Sequence, residues 1–216
     1  MTLSLPSHVH LAAIGDDVVL LDTAADAYMC IPNGVAILRP ALDRASLAPV
    51  NDAVASGLQD AGLANPGEAA TGRARLCRPT RDIGDLQVGH LSLAQILALA
   101  GAFWDLMWRY RGRTLAEILD FVAGERVNRT MAAGPDAVRL AGVFQQVAVW
   151  LPMPRKCLVR SFVLLRFLQR SGVDATWVFG VTTWPFRAHC WLQIGDTALD
   201  DNAERIVEYE PILGVG

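Results

Sequence analysis

Apolar and polar positions alternate in short bursts at the start of the chain and change period further on. Val9, Leu11 and Ala13 lie two apart and run into Gly15-Asp16-Asp17, a turn sequence. Val18 to Leu21 is a second apolar run, Asp22-Thr23-Ala24-Ala25 a second turn, and Ala27 to Ile31 a third short strand. Such a meander is too small to stand alone and needs a cover. Asn33 can cap a helix through Leu42, with Val35, Leu38 and Leu42 at helical spacing. Ser46 or Asn51 can open another, with Val50, Val54, Leu58 and Ala61 on one stripe and Gly62 at its end. Residues 1–63 are thus expected to form a small winged-helix-like module of meander and helices.

Residues 64–75 show no hydrophobic period, are rich in Gly, Pro and Ala, and read as a linker. Beyond it, over 76–216, the pattern turns helical. Leu91 to Arg111 predicts one long helix, Thr114 to Val122 a short capped one and Asp136 to Trp150 a third. A fourth follows Pro152 and Pro154, running from about Arg155 to Arg170 and closed by Ser171-Gly172. The period then becomes that of strands, at Ala175 to Thr182, Ala188 to Ile194 and Thr197 to about Asp201. Helices followed by an antiparallel sheet is an α+β order. Trp104 and Trp108, four apart, read as a core stripe on the long helix.

Composition narrows the class. With 52% hydrophobic and 19% charged residues, disorder is excluded as the main state. A net charge of −3 argues against a nucleic-acid binder, which normally carries a basic excess. Lysine occurs once, as Lys156, and every other Lys-or-Arg position is arginine, a skew read as genome composition. The first of these basic residues is Arg39, so no charged segment precedes an apolar one as in a secretory signal. The window from Leu91 to Trp108 is broken by Ser92, Gln95, Gly101 and Asp105 and reads as a buried helix, not a membrane span. Cys30, Cys77, Cys157 and Cys190 are scattered without a CxxC pair, as expected of reduced thiols in a cytoplasmic protein. His8, His10 and His90 fit no metal-ligand spacing, so no metal or cofactor is expected.

Cys157 falls in the first turn of the helix after Pro154. Unpaired N–H groups, the helix dipole, Arg155 and Lys156 would all favour its thiolate there. Taken alone it reads more readily as a structural core cysteine, and His189 on its strand as a satisfied core histidine. Together with an acid on the next strand they form the papain-like order, in which histidine takes the thiol proton and the acid orients the ring. Strand parity leaves the acid open. A two-residue turn at Gly195-Asp196 would put Asp200 on the histidine face, whereas a three-residue loop would put Asp201 directly opposite His189.

The stretches Lys156-Cys157-Leu158-Val159-Arg160-Ser161, Gly180-Val181, Pro185-Phe186-Arg187-Ala188-His189-Cys190-Trp191 and Asp200-Asp201 resemble the leader peptidases of lasso peptide biosynthesis. Those carry a transglutaminase-like cysteine peptidase domain with motifs CLxRS, GV, PFxAHAW and a terminal acid. This chain departs in having Cys190 where alanine is usual. Leu20-Leu21-Asp22 and Tyr28-Met29-Cys30-Ile31 resemble, more weakly, the leader-recognition element fused to many members. The resemblance implies that Cys157 is the nucleophile, His189 the base and later acid, and Asp201 the orienting acid, by the family's spacing. It implies two partners: a precursor peptide, and an ATP-dependent cyclase of asparagine-synthetase type that closes the freed core. Leader binding is expected by strand addition beside Ala27 to Ile31, involving Tyr28, Met29 and Cys30, with Val54 and Leu58 on the opposite wall or simply in the module's core. The Cys157 N–H is expected as an oxyanion donor, with Trp150 only a weak side-chain candidate that fits the core better. Acyl transfer to an amine by the same triad, and a non-catalytic peptide-binding adaptor, are the alternatives.

Overall fold

The computed structural model describes residues 2–84, 92–125, 134–154 and 156–216. His90, Leu91 and Arg155, used above, lie outside the described residues. The first part comprises β1 (Leu3–Ser4), β2 (Val9–Ile14), β3 (Asp17–Asp22), β4 (Ala27–Ile31), α1 (Gly34–Leu38), β5 (Ser46–Leu47), α2 (Asp52–Asp60) and β6 (Asn65–Pro66). The meander forms as the alternation predicts, in the order β2-β3-β4.

Its two faces enter different cores. Val9, Leu11, Val18 and Leu20 pack with Leu38, Leu47, Ala55 and Leu58. Ala12, Val19 and Leu21, of opposite parity, join the main core of the second part, and Tyr28 and Cys30 pack against it. The meander is therefore a layer shared by both halves of the chain. Arg44 fastens the junction, its guanidinium donating to the carbonyls of Leu11 (3.1 Å) and Pro211 (2.6 Å).

Three local expectations change. α1 stops at Leu38, because Arg39 takes a positive φ of 47° and Pro40 follows. Asn51, not Ser46, caps α2, its side chain accepting from the Val54 N–H (3.0 Å), while Ser46 lies in β5. The stretch 64–75 is not a loose tether. β6 pairs with β1, the Arg73 N–H donates to the Asp43 carbonyl, and the Arg73 guanidinium donates to the carbonyls of Pro6 and Val9.

The second part comprises β7 (Arg81–Asp82), α3 (Leu93–Asp105) with a π-helical turn at Leu106–Tyr110, α4 (Leu115–Gly124), α5 (Gly134–Ala148), α6 (Cys157–Arg170), β8 (Thr176–Thr182), β9 (Arg187–Ile194), β10 (Thr197–Ala198), α7 (Ala203–Ile206) and β11 (Glu210–Val215). The sheet order is β11-β8-β9-β10-β7. The C-terminal β11 is not apparent in the sequence, where Pro211 and Gly214 interrupt the pattern. It is an edge strand, irregular between Pro211 and Leu213, the setting in which a sheet tolerates proline.

α6 is the axis of this part, buried at every residue from Ser161 to Gln169. Such a helix must pair its charges. Arg166 donates to Asp105 of α3 at 2.8 Å, and Arg170 donates to the same carboxylate at 3.0 Å. That cluster decides which face of α3 turns inward. Ala102 and Asp105 are buried, and Trp104 and Trp108 are 64% and 63% exposed, against the core stripe expected of them. No helix among the described residues is long and apolar enough to cross a membrane.

Candidate active site

Cys157 is the first residue of α6, and Lys156 before it supplies no side-chain cap, so the thiol lies beside unsatisfied N–H groups and the positive end of the dipole. α6 points this end at one edge of β9. On β9, β10 reaches only Ile194 and Gln193, and the Leu199 N–H still donates to the Leu192 carbonyl. Beyond that the chain peels away, and the exposed edge of β9 finds other partners. The Leu192 N–H donates to Asp200 Oδ1 (2.8 Å), Ser161 Oγ lies 3.4 Å from the Cys190 carbonyl, and the Cys190 N–H donates to the Cys157 sulfur.

This edge-on approach lets Cys157 touch side chains from both faces of β9. His189 is on one face, near Trp191 and Tyr209, its ring 5.2 Å from that of Tyr209. Cys190 is on the other, in the main core with α6. Gly180 faces His189 on β8, and a Cβ there would lie 2.7 Å from the Trp191 ring and 3.0 Å from Tyr209. The glycine of the Gly180-Val181 pair is therefore required by this packing.

The two acids take different places, and strand parity is not the reason. Thr197 pairs with Ile194, so the turn is the two residues Gly195-Asp196, and the three-residue loop that would set Asp201 opposite His189 does not form. Strand parity does not extend to either acid, because β10 ends at Ala198. Asp200 turns inward, accepting from the Leu192 N–H (2.8 Å) and from Ser161 Oγ (2.6 Å). Asp201, just before α7, hydrogen-bonds His189 Nε2 and accepts from the Asn202 N–H at 2.8 Å. With Nε2 so engaged, Nδ1 is the ring nitrogen left for Cys157.

These contacts shift the protonation states. The Cys190 S–H and then His189 hydrogen-bond the Cys157 sulfur, and with the His189 charge they outweigh burial and bring its pKa down to about 4. Burial pulls His189 down, but the bonds to Asp201 and Cys157 and their charges win and raise it to about 9. Between those values the pair is thiolate and imidazolium. Burial opposes ionisation of Asp201, yet the His189 bond holds it below the usual carboxylate range. Burial pushes Asp200 up to about 6 despite its bonds to Ser161 and Leu192. Cys190 is held far above an ordinary thiol by its bond to Cys157 and by burial.

Cys157, His189 and Asp201 open onto one cleft of about 940 Å³, which Lys156, Arg160, Arg187, Arg205 and Tyr209 also line. Of the five residues considered for leader binding, Tyr28, Met29 and Cys30 share β4, whereas Val54 and Leu58 lie on α2. Tyr28 and Cys30 face the second part, the Tyr28 ring 5.5 Å from that of Phe186. Val54 and Leu58 pack in the first core, and Met29 is exposed. Trp150 is 86% exposed, so it neither packs in the core as expected nor lines the cleft. Cys190, Ser161 and Tyr209 take places in this site that no local pattern announces. Adjacency to His189 was the signal for Cys190, masked by the rule that neighbours on a strand face apart.

The profile of the transglutaminase-like superfamily matches residues 102–214, which contain the whole Cys157–His189–Asp201 arrangement. The chain belongs to that superfamily. More narrowly, a segment of 45 residues is 40% identical to the microcin J25-processing protein McjB of Escherichia coli, spanning 21% of this chain and 22% of that protein. No solved structure matches.

Proposed function

We propose that this protein is a cysteine peptidase that removes the leader from a ribosomally made lasso peptide precursor. What carries the reading is a thiol at a helix start, hydrogen-bonded to a histidine that an aspartate holds at its other nitrogen. The superfamily and the similarity to a microcin-processing protein support it. The Cys157 thiolate attacks the carbonyl of the last leader residue, and the Cys157 N–H steadies the oxyanion. Imidazolium at His189 gives the Nδ1 proton to the departing amine, which is the new N-terminus of the core. His189 then takes a proton from water as it resolves the thioester, with Asp201 holding the ring throughout. The freed amine is what an ATP-dependent cyclase partner would close onto an acidic side chain, in the cytoplasm. The leader adds as a strand at β4, whose outer edge no strand covers among the described residues.

Incubating the full chain with precursor and weighing the products tests this. Free leader and free core are expected, and Cys157→Ala should yield neither while melting like the parent. Cleavage by the alanine variant would end the assignment. A leader joined to an added primary amine, in place of free leader acid, would show acyl transfer instead.

A further inference from the structure

Cys190 is a buried nucleophile for which hydrolysis has no chemical step. It is 3% exposed, whereas Cys157 is partly exposed at the cleft. The two cysteines, one on α6 and one on β9, line the same cleft, and Cys157 packs against the core cluster that holds Cys190, close enough for the Cys190 S–H to hydrogen-bond its sulfur. The remaining cysteines are placed differently: Cys30 is on β4, and Cys77 is exposed with its carbonyl accepting from Gln193. We propose that Cys157 and Cys190 form a reversible disulfide when a hydroperoxide enters the cleft, which disarms the nucleophile until a dithiol reopens it.

The order of events follows from exposure. A hydroperoxide reaches the open, ionised Cys157 first. The thiolate attacks the outer peroxide oxygen, the O–O bond breaks, and the departing alkoxide or hydroxide takes a proton, leaving Cys157 as a sulfenic acid. Oxidation removes the neighbouring negative charge that kept the Cys190 proton in place. Cys190 then loses that proton and attacks the Cys157 sulfur. The S–O bond breaks, hydroxide leaves as water, and the peroxide has been reduced by two electrons. Because the resolving sulfur is already in contact, this intramolecular step outruns a second peroxide. A dithiol reverses it by exchange through a mixed disulfide and is itself oxidised. Apart from the thiolate, the scheme does not depend on which peptide the protein cuts.

The test needs no peptide substrate. The full chain is treated with hydrogen peroxide, alkylated and mapped by mass spectrometry, before and after dithiothreitol. A linked Cys157–Cys190 peptide is expected, with both thiols alkylatable again after reduction. In Cys190→Ala, and in Cys190→Ser should the alanine variant fold poorly, Cys157 should be trapped by dimedone as sulfenic acid. Further peroxide should then carry it to a sulfinic acid that dithiothreitol does not recover. Sulfinic acid at Cys157 in the parent with Cys190 still alkylatable would overturn the proposal. So would a disulfide from Cys157 to Cys30 or Cys77.

Discussion

A free cysteine near neutral pH is only a few per cent thiolate, and in this site three donors change that. The Cys190 S–H, His189 and the Cys190 N–H converge on Cys157 and bring its pKa to about 4, while His189 rises to about 9. Cleavage needs both the thiolate and the protonated ring, so kcat/KM should rise through about 4 and fall through about 9. The alkylation rate of Cys157 needs only the thiolate, so it should show the acidic limb. An alkylation rate that rises only near the value of a free thiol, about 8.5, would contradict the ion pair. The adjacent aspartates separate by role. Asp201→Asn should lower the cleavage rate roughly 10²–10⁴-fold with little loss of stability, since it removes the charge that holds His189 protonated and oriented. Asp200→Ala should instead cost about 1–3 kcal/mol in thermal or urea unfolding, because it leaves the Leu192 N–H and Ser161 Oγ without their buried partner. Equal rate losses for Asp201→Asn and Asp200→Asn would remove the distinction.

At the scale of elements, one strand edge invites a direct test. The two-residue turn Gly15-Asp16 sets the β2–β3 ladder so that Leu20 and Met29 exchange hydrogen bonds across β3–β4. By alternation, the N–H groups of Tyr28 and Cys30 point to the open edge. Cys30→Pro then removes one outward donor and should weaken leader binding about fivefold, the weight of one hydrogen bond near 1 kcal/mol. Met29→Pro removes a ladder bond to β3 and should lower the melting temperature instead. Calorimetric titration of a leader peptide beside thermal melts distinguishes them, and unchanged affinity in Cys30→Pro would place the leader elsewhere.

For the molecule as a whole, the meander shared between two cores makes the halves mutually dependent. Removing residues 1–75 takes Ala12, Val19 and Leu21 out of the main core and strips the cover from Phe186 and Pro211. A 76–216 fragment should therefore unfold at lower temperature than the full chain and bind a dye for exposed apolar surface. A fragment melting at the parental temperature would show that the contact contributes nothing.

The meander, the α3, α4 and α6 helices and the β8–β9 pair were all legible in the sequence, because each is written in a local period. So were Cys157 and His189, whose motifs sit at a helix start and mid-strand. What local pattern cannot carry is which face of an element finds a partner. Trp104 and Trp108 lie outward because buried Arg166, with Arg170 one turn on, needed the Asp105 carboxylate on the opposite face. Asp201 meets His189 because β10 ends at Ala198 and α7 turns the chain back, a path that strand parity could not foresee. Cys190 reaches Cys157 because α6 meets β9 at its open edge, where both faces of the strand are within reach. The periods along the chain determined the elements and so the positions of the candidate residues Cys157 and His189; the pairing of buried charges and the length of one short strand, which depend on distant partners, decided how those residues meet.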